Sequence, residues 1–187
     1  LAKTSDSRYI EFVESIQPPL KREKKWVLIV STLYGCPVKC LICDAGLNYA
    51  GRISKDDIFA QIDYLICKRY PDRNITSEKF KIQFARMGEP AFNNAVLYVL
   101  EEFDKRYTAP GFVPSVSTIA PASCEGFFER LIHIKSSKFS NGKFQFQFSI
   151  HSSDEICRNK QNAVKKMGFL EMALFGEKFY QQGDNKL

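Results

Sequence analysis

The stretch "KFQFQFSIH", residues 143–151, alternates Phe144, Phe146 and Phe148 with Gln145, Gln147 and Ser149. Successive side chains of an extended strand point to opposite faces, so the pattern describes a strand with one apolar and one polar face. "KFKIQFA", residues 79–85, repeats it, with Phe80, Ile82 and Phe84 set against Lys81, Gln83 and Ala85. A parallel strand buried on both faces reads apolar throughout. Helices on the apolar side therefore leave the polar side to line either water or an internal cavity. An open barrel with a polar lumen follows; an ordinary open sheet with one solvated face is the alternative.

Working outward, "WVLIV" (26–30) and "VPSVST" (113–118) are two further strand candidates, joining those at 80–85 and 144–150. Helical periodicity fills the intervals. Over 54–70, Ile58, Ile62, Leu65 and Ile66 share a face, and Ser54 with Asp57 forms a capping-box pattern. Helices are also expected at 93–107, capped by Asn93 or Asn94, near 123–135, and at 170–181. The order βαβαβαβα implies an α/β fold with parallel strands and about four βα units. Residues 1–25 read as a lead-in and 26–187 as the core.

In such sheets, working residues collect at the C-terminal ends of the strands. Each of the four ends here runs into polar sequence: "STLYGCPVKCLIC", "RMGEP", "STIAP" and "SIHSSDE". The first holds Cys36, Cys40 and Cys43, three of six cysteines in eight residues. With no signal-peptide core and no apolar run long enough to cross a bilayer, the expected compartment is the cytoplasm, with no membrane partner. Clustered cysteines in a reducing compartment point to metal or catalytic chemistry. A net charge of +6 tolerates an anionic partner such as RNA without requiring one.

A structural zinc site wants four ligands, usually as two separated pairs. The candidates for a fourth are Cys67, Cys124, Cys157, His133 and His151, none of them in a second C-x2-C pair. A cubane iron-sulfur cluster is normally held by four thiolates. Three would leave one iron open to an exogenous ligand.

The spacing C-x3-C-x2-C in "CPVKCLIC" resembles the signature of the radical S-adenosylmethionine (radical SAM) enzymes, and "MGEP" (87–90), "SVSTIAP" and "FSIH" resemble that family's later strand motifs, in order. The resemblance implies a partial (β/α)6 barrel, a [4Fe-4S] cluster on Cys36, Cys40 and Cys43, and S-adenosylmethionine (SAM) on its open iron. It further implies Ile42 against the adenine, Gly88 among the cofactor-binding residues, Glu89 at the methionyl ammonium, and Ser117, Ser149 and His151 at the ribose and methionyl carboxylate. An external one-electron donor such as a flavodoxin or ferredoxin is implied too. The motif order is similar to that of the ribosomal-RNA adenine C2 methyltransferases. Their upstream catalytic cysteine, however, falls at Ile29 here.

A six-unit barrel would need two βα units beyond Leu187, so the chain is expected to be a core fragment. The rival from another class is a non-catalytic binding module stabilised by zinc or an iron-sulfur cluster, with RNA as the ligand that the charge would suit.

Overall fold

The computed structural model describes residues 1–4, 7–162 and 164–184. Its strands are β1 (Ala2–Lys3), β2 (Tyr9–Ile10), β3 (Val13–Ile16), β4 (Lys25–Val30), β5 (Leu33–Tyr34), β6 (Gly51–Arg52), β7 (Lys79–Phe84), β8 (Phe112–Thr118) and β9 (Gln145–Phe148). The helices are α1 (Lys55–Cys67), α2 (Ala95–Arg106), α3 (Glu125–Lys138), α4 (Glu155–Gln161) and α5 (Phe169–Phe179).

One five-stranded sheet, in the order β3-β4-β7-β8-β9, organises the chain. The pairs β4·β7, β7·β8 and β8·β9 are parallel, which gives the four expected parallel strands. The lead-in does more than approach the core, because β3 pairs antiparallel with β4 and extends the sheet by one strand. β1 and β2 form a separate hairpin. These strands are two to four residues long, too short for a two-residue period to stand out in sequence.

The alternation sorts as the sequence implies. Phe80 packs on Trp26 and on Phe103 of α2, and Phe112 stacks on Phe103 with ring centroids 3.8 Å apart. Phe146 meets Phe128 of α3 and both Phe175 and Phe179 of α5. All of these belong to one continuous core. Apolar burial of this kind is the main favourable contribution to folding. The other face carries Lys81 and Gln83 of β7, Ser115 and Ser117 of β8, and Gln145 and Gln147 of β9. Its registers, Gln83↔Ser115↔Gln145 and Ser117↔Gln147, place these side chains in rows.

Local chemistry fixes the helix starts. Ser54 Oγ accepts from the Asp57 backbone N–H and donates to its carboxylate, so the cap is reciprocated by side chains. Asn93 Oδ1 accepts from Ala95 N–H at the start of α2. Asp154 caps α4 by accepting from Cys157 N–H. α4, only seven residues long, is an element that the periodicity did not separate from its neighbours.

Candidate functional site

The site begins where β4 ends. A loop over residues 35–50 leaves the short β5 and returns through β6, which pairs with it antiparallel. Tyr34 O accepts from Ala50 N–H at 2.7 Å, and Cys36 N–H donates to Ala45 O at 2.6 Å, closing the loop on itself. Gly35 is held at φ +76°, and a Cβ there would lie 2.2 Å from the carbonyl oxygen of Asn48. Only glycine fits that crossing. Leu41 N–H donates to Gln161 O, docking the loop on the end of α4.

The end of β7 is knitted to this loop. Met87 O accepts from the N–H groups of Thr32 and Leu33. Asn93 Nδ2 donates to Thr32 O and Ile53 O, both at 2.7 Å. Gly88, at φ +98°, lies against Leu33, whose Cβ would be 2.4 Å from any added Cβ. Its glycine is therefore demanded by close approach as well as by backbone angle.

Glu89 is the electrostatic centre of this corner. It is 5 % exposed. Its Oε1 accepts from Ala91 N–H at 3.0 Å and from Thr118 Oγ1–H at 2.5 Å, while Oε2 accepts from Ile119 N–H at 3.0 Å. Burial pushes the carboxyl above its ordinary value, and the three donors pull it part of the way back. A carboxylate has about four acceptor positions, so three donors leave one on Oε2 for a ligand. Thr118 is itself held by accepting from Ala120 N–H at 2.9 Å.

The three thiols are set differently. Cys36 and Cys40 are partly buried and Cys43 is exposed. Burial raises the Cys36 and Cys40 thiols above the ordinary cysteine value, and N–H groups of Val38 and Glu89 partly offset this at Cys36. Among the described residues, no three His, Cys, Asp or Glu side chains converge on a point that would hold a single metal ion. A cubane makes a different demand, since it places each thiolate on a separate iron. Three thiols spaced along one loop at the rim of one cleft match that donor set.

All nine residues singled out by sequence line that cleft: Cys36, Cys40, Ile42, Cys43, Gly88, Glu89, Ser117, Ser149 and His151. Its volume is about 260 Å³, and Val38, Ala45, Ala85, Arg86, Pro90 and Ile119 complete the wall. Ile42 is 71 % exposed, an apolar side chain left open on the rim. His151 takes φ +65°, a left-handed angle uncommon for a residue with a Cβ.

Sequence reasoning missed Thr118 and Arg86. By alternation Thr118 belongs on the helix side of β8. It meets Glu89 only because the strand ends there and Ala120 turns the chain at φ +59°. Arg86 also pairs with Glu11 at 2.8 Å, linking the cleft to the lead-in. A larger groove of about 310 Å³ between α3 and α5 lies on the opposite, helical side, lined by Glu125, Glu129, Glu171 and Lys178 among apolar groups, with no cysteine or histidine.

No protein-family profile matches the chain. Over 179 residues it is 28 % identical to the dual-specificity RNA methyltransferase RlmN of Buchnera aphidicola subsp. Cinara cedri, covering 91 % of this chain and 46 % of that protein. Over 116 residues it is 31 % identical to the RlmN of Buchnera aphidicola subsp. Acyrthosiphon pisum, covering 59 % of this chain and 31 % of the relative. The chain thus spans less than half the length of these relatives. In structure it is similar to a radical SAM methyltransferase from Sphaerobacter thermophilus, with a TM-score of 0.63 at 21 % identity, covering 86 % of this chain and 43 % of the other. That likeness establishes the fold, a partial barrel of the radical SAM type. In sequence the chain is thus similar to the RlmN methyltransferases, and in fold to a radical SAM methyltransferase.

Proposed function

We propose that the chain carries the cofactor-binding core of a radical SAM enzyme. The observation that carries this reading is the single cleft in which a three-cysteine loop faces a buried glutamate with one acceptor position to spare. Cys36, Cys40 and Cys43 would hold a [4Fe-4S] cluster. When bound, that cluster supplies one electron to SAM, which divides into methionine and a 5′-deoxyadenosyl radical able to take a hydrogen atom from a substrate.

The remaining work belongs to the protein. Glu89 Oε2 offers a charge-assisted hydrogen bond to the methionyl ammonium, and its other three acceptor positions are taken, so the carboxylate cannot swing away. Ser117, Ser149 and His151 supply hydroxyl and imidazole groups for the ribose and methionyl carboxylate, from the ends of two neighbouring strands. Ile42 offers an apolar surface to the adenine. Burial disfavours the thiolate forms of Cys36 and Cys40 in the metal-free protein, so a cluster held by them would displace protons.

RNA is the substrate class that the RlmN relatives suggest. One residue argues for different chemistry. Ile29, at the position of that branch's upstream cysteine, pairs in register with Gln83 and so lies on the polar-face side of β4. No thiol can act from there, and a two-thiol methyl relay lacks one of its members.

Anaerobic reconstitution with iron and sulfide is expected to give about four irons per chain, and reductant with SAM to give 5′-deoxyadenosine. One tightly held zinc per chain, no SAM binding, and unfolding by chelators would instead establish the metal-stabilised binding module. An electron donor of the flavodoxin or ferredoxin class completes the proposal.

A further inference from the structure

On the polar face of the sheet, below the cleft, the rows of side chains form a floor that the SAM chemistry does not use. Lys81 of β7 is 5 % exposed, and its ammonium donates to Gln145 Oε1 of β9. Gln145, with its oxygen engaged, is left presenting its NH2 group. Between the two strands lies Ser115 of β8, fully buried, its hydroxyl without a hydrogen-bond partner among the described residues. The register Gln83↔Ser115↔Gln145 shows that this hydroxyl shares the face of both amides.

The floor is also positively charged. Lys25 and Lys79 sit opposite each other in register, on the same face as Lys81, and their charges act on it directly. Among the described residues, no carboxylate pairs with Lys25, Lys79 or Lys81. Lys24, by contrast, pairs with Glu78. A buried ammonium satisfied by one neutral amide, beside an orphaned hydroxyl, is an arrangement that an anion completes.

The position relative to the cleft sets the reach. Ser117, which lines the cleft, is two residues beyond Ser115 on the same strand and the same face. At the rise of a parallel strand that separation is about 6.6 Å.

We propose that this floor binds an anionic group of the substrate, a phosphate or carboxylate held by Lys81, Ser115 and the Gln145 amide. The group reacting above it would then lie roughly one nucleotide-ring or short-chain length away. This inference rests on the enzymatic reading for the word substrate, but the anion site itself does not.

The test is anion binding to the purified chain, using inorganic phosphate as one probe and malonate as the other, by calorimetry and by lysine footprinting with mass spectrometry. Phosphate is expected to slow modification of the exposed Lys79 without changing Lys24. Lys81→Met is expected to weaken binding at least ten-fold, and Ser115→Ala by a smaller factor, while Lys24→Met binds as the parent does. Preference between the two probes identifies the anion as phosphate or carboxylate.

Absence of saturable binding of both probes, or footprinting unchanged at Lys79, overturns the proposal. The footprint uses the parent protein, so it decides the matter even where Lys81→Met fails to fold. Iron content and 5′-deoxyadenosine formation are measured on the same preparation. Anion binding without them preserves the floor and removes the enzymatic reading, and the converse removes only the floor.

Discussion

The two halves of the cleft are built in opposite ways. The Glu89 corner is buried and over-determined, with one carboxylate held by two backbone N–H groups and a hydroxyl that is itself held by a third N–H. The cysteine loop is irregular and, beyond Cys40, mostly exposed, containing only a single 3-10 turn, Asp44–Gly46, between β5 and β6. A fixed carboxylate can recognise a ligand before any metal is present, because its geometry costs nothing further on binding. Thiols that must take up a bulky inorganic group are better left on a loop whose ends are fixed and whose middle can adjust. On the proposed reading, recognition falls to the sheet and ligation to the loop.

Substitutions can break this contrast. The largest effect is expected from Ala at Cys40 or Cys43, which should take iron from about four per chain to essentially none and abolish 5′-deoxyadenosine. At the exposed Cys43, stability of the metal-free protein should move by no more than about 0.5 kcal/mol, as for other surface changes. A large loss of stability in urea titration would show that the loop is part of the folding core after all.

Glu89→Ala should do the reverse. Three donors lose their acceptor, at about 3 kcal/mol of stability, and SAM affinity in the iron-loaded protein should fall by about 100-fold. Iron content should stay nearer to the parent value than SAM affinity does. Thr118→Val probes the same corner more gently, since it removes one bond to Glu89 and the partner of Ala120 N–H. We expect about 2 kcal/mol in the same titration.

Gly35→Ala tests whether the loop's ends are as fixed as its middle is free. The left-handed angle alone costs about 1–2 kcal/mol, and the contact with Asn48 forces the loop to shift, so lowered iron occupancy is expected with modest loss of stability. The smallest effect is in pH dependence. Burial raises Glu89 above its ordinary value of 4.5, so the folded chain binds that proton more tightly than the unfolded chain does. This contribution to stability is complete below that ordinary value and is lost as pH rises through the folded one. Glu89→Gln should flatten that part of the curve of unfolding free energy against pH, and an unchanged slope would show that the carboxyl is not the group responsible.

Much of this was legible without coordinates, though unevenly. The alternations at 79–85 and 143–151 fixed which side chains face the helices, and all nine residues singled out reach one cleft. β3 escaped notice because "VESI" is four residues long and sits at the edge of the sheet, where its exposed side chains carry no two-residue signature. Thr118 escaped because its contact depends on where β8 stops, and Lys81 because a lone lysine in a strand reads as an ordinary solvated residue. Its burial arises from neighbours on β9, sixty-four positions away.

What the sequence determined on its own was periodic and local: strand faces, helix caps, and the order of four polar strand ends carrying three cysteines, since each depends on neighbours a few residues apart. Only the tertiary structure decided that Glu89 is held from three sides with one acceptor position open, and that Lys81, Gln145 and Ser115 meet on one floor. Such facts are set by strand register and by where strands end, and register joins residues that the chain itself keeps far apart.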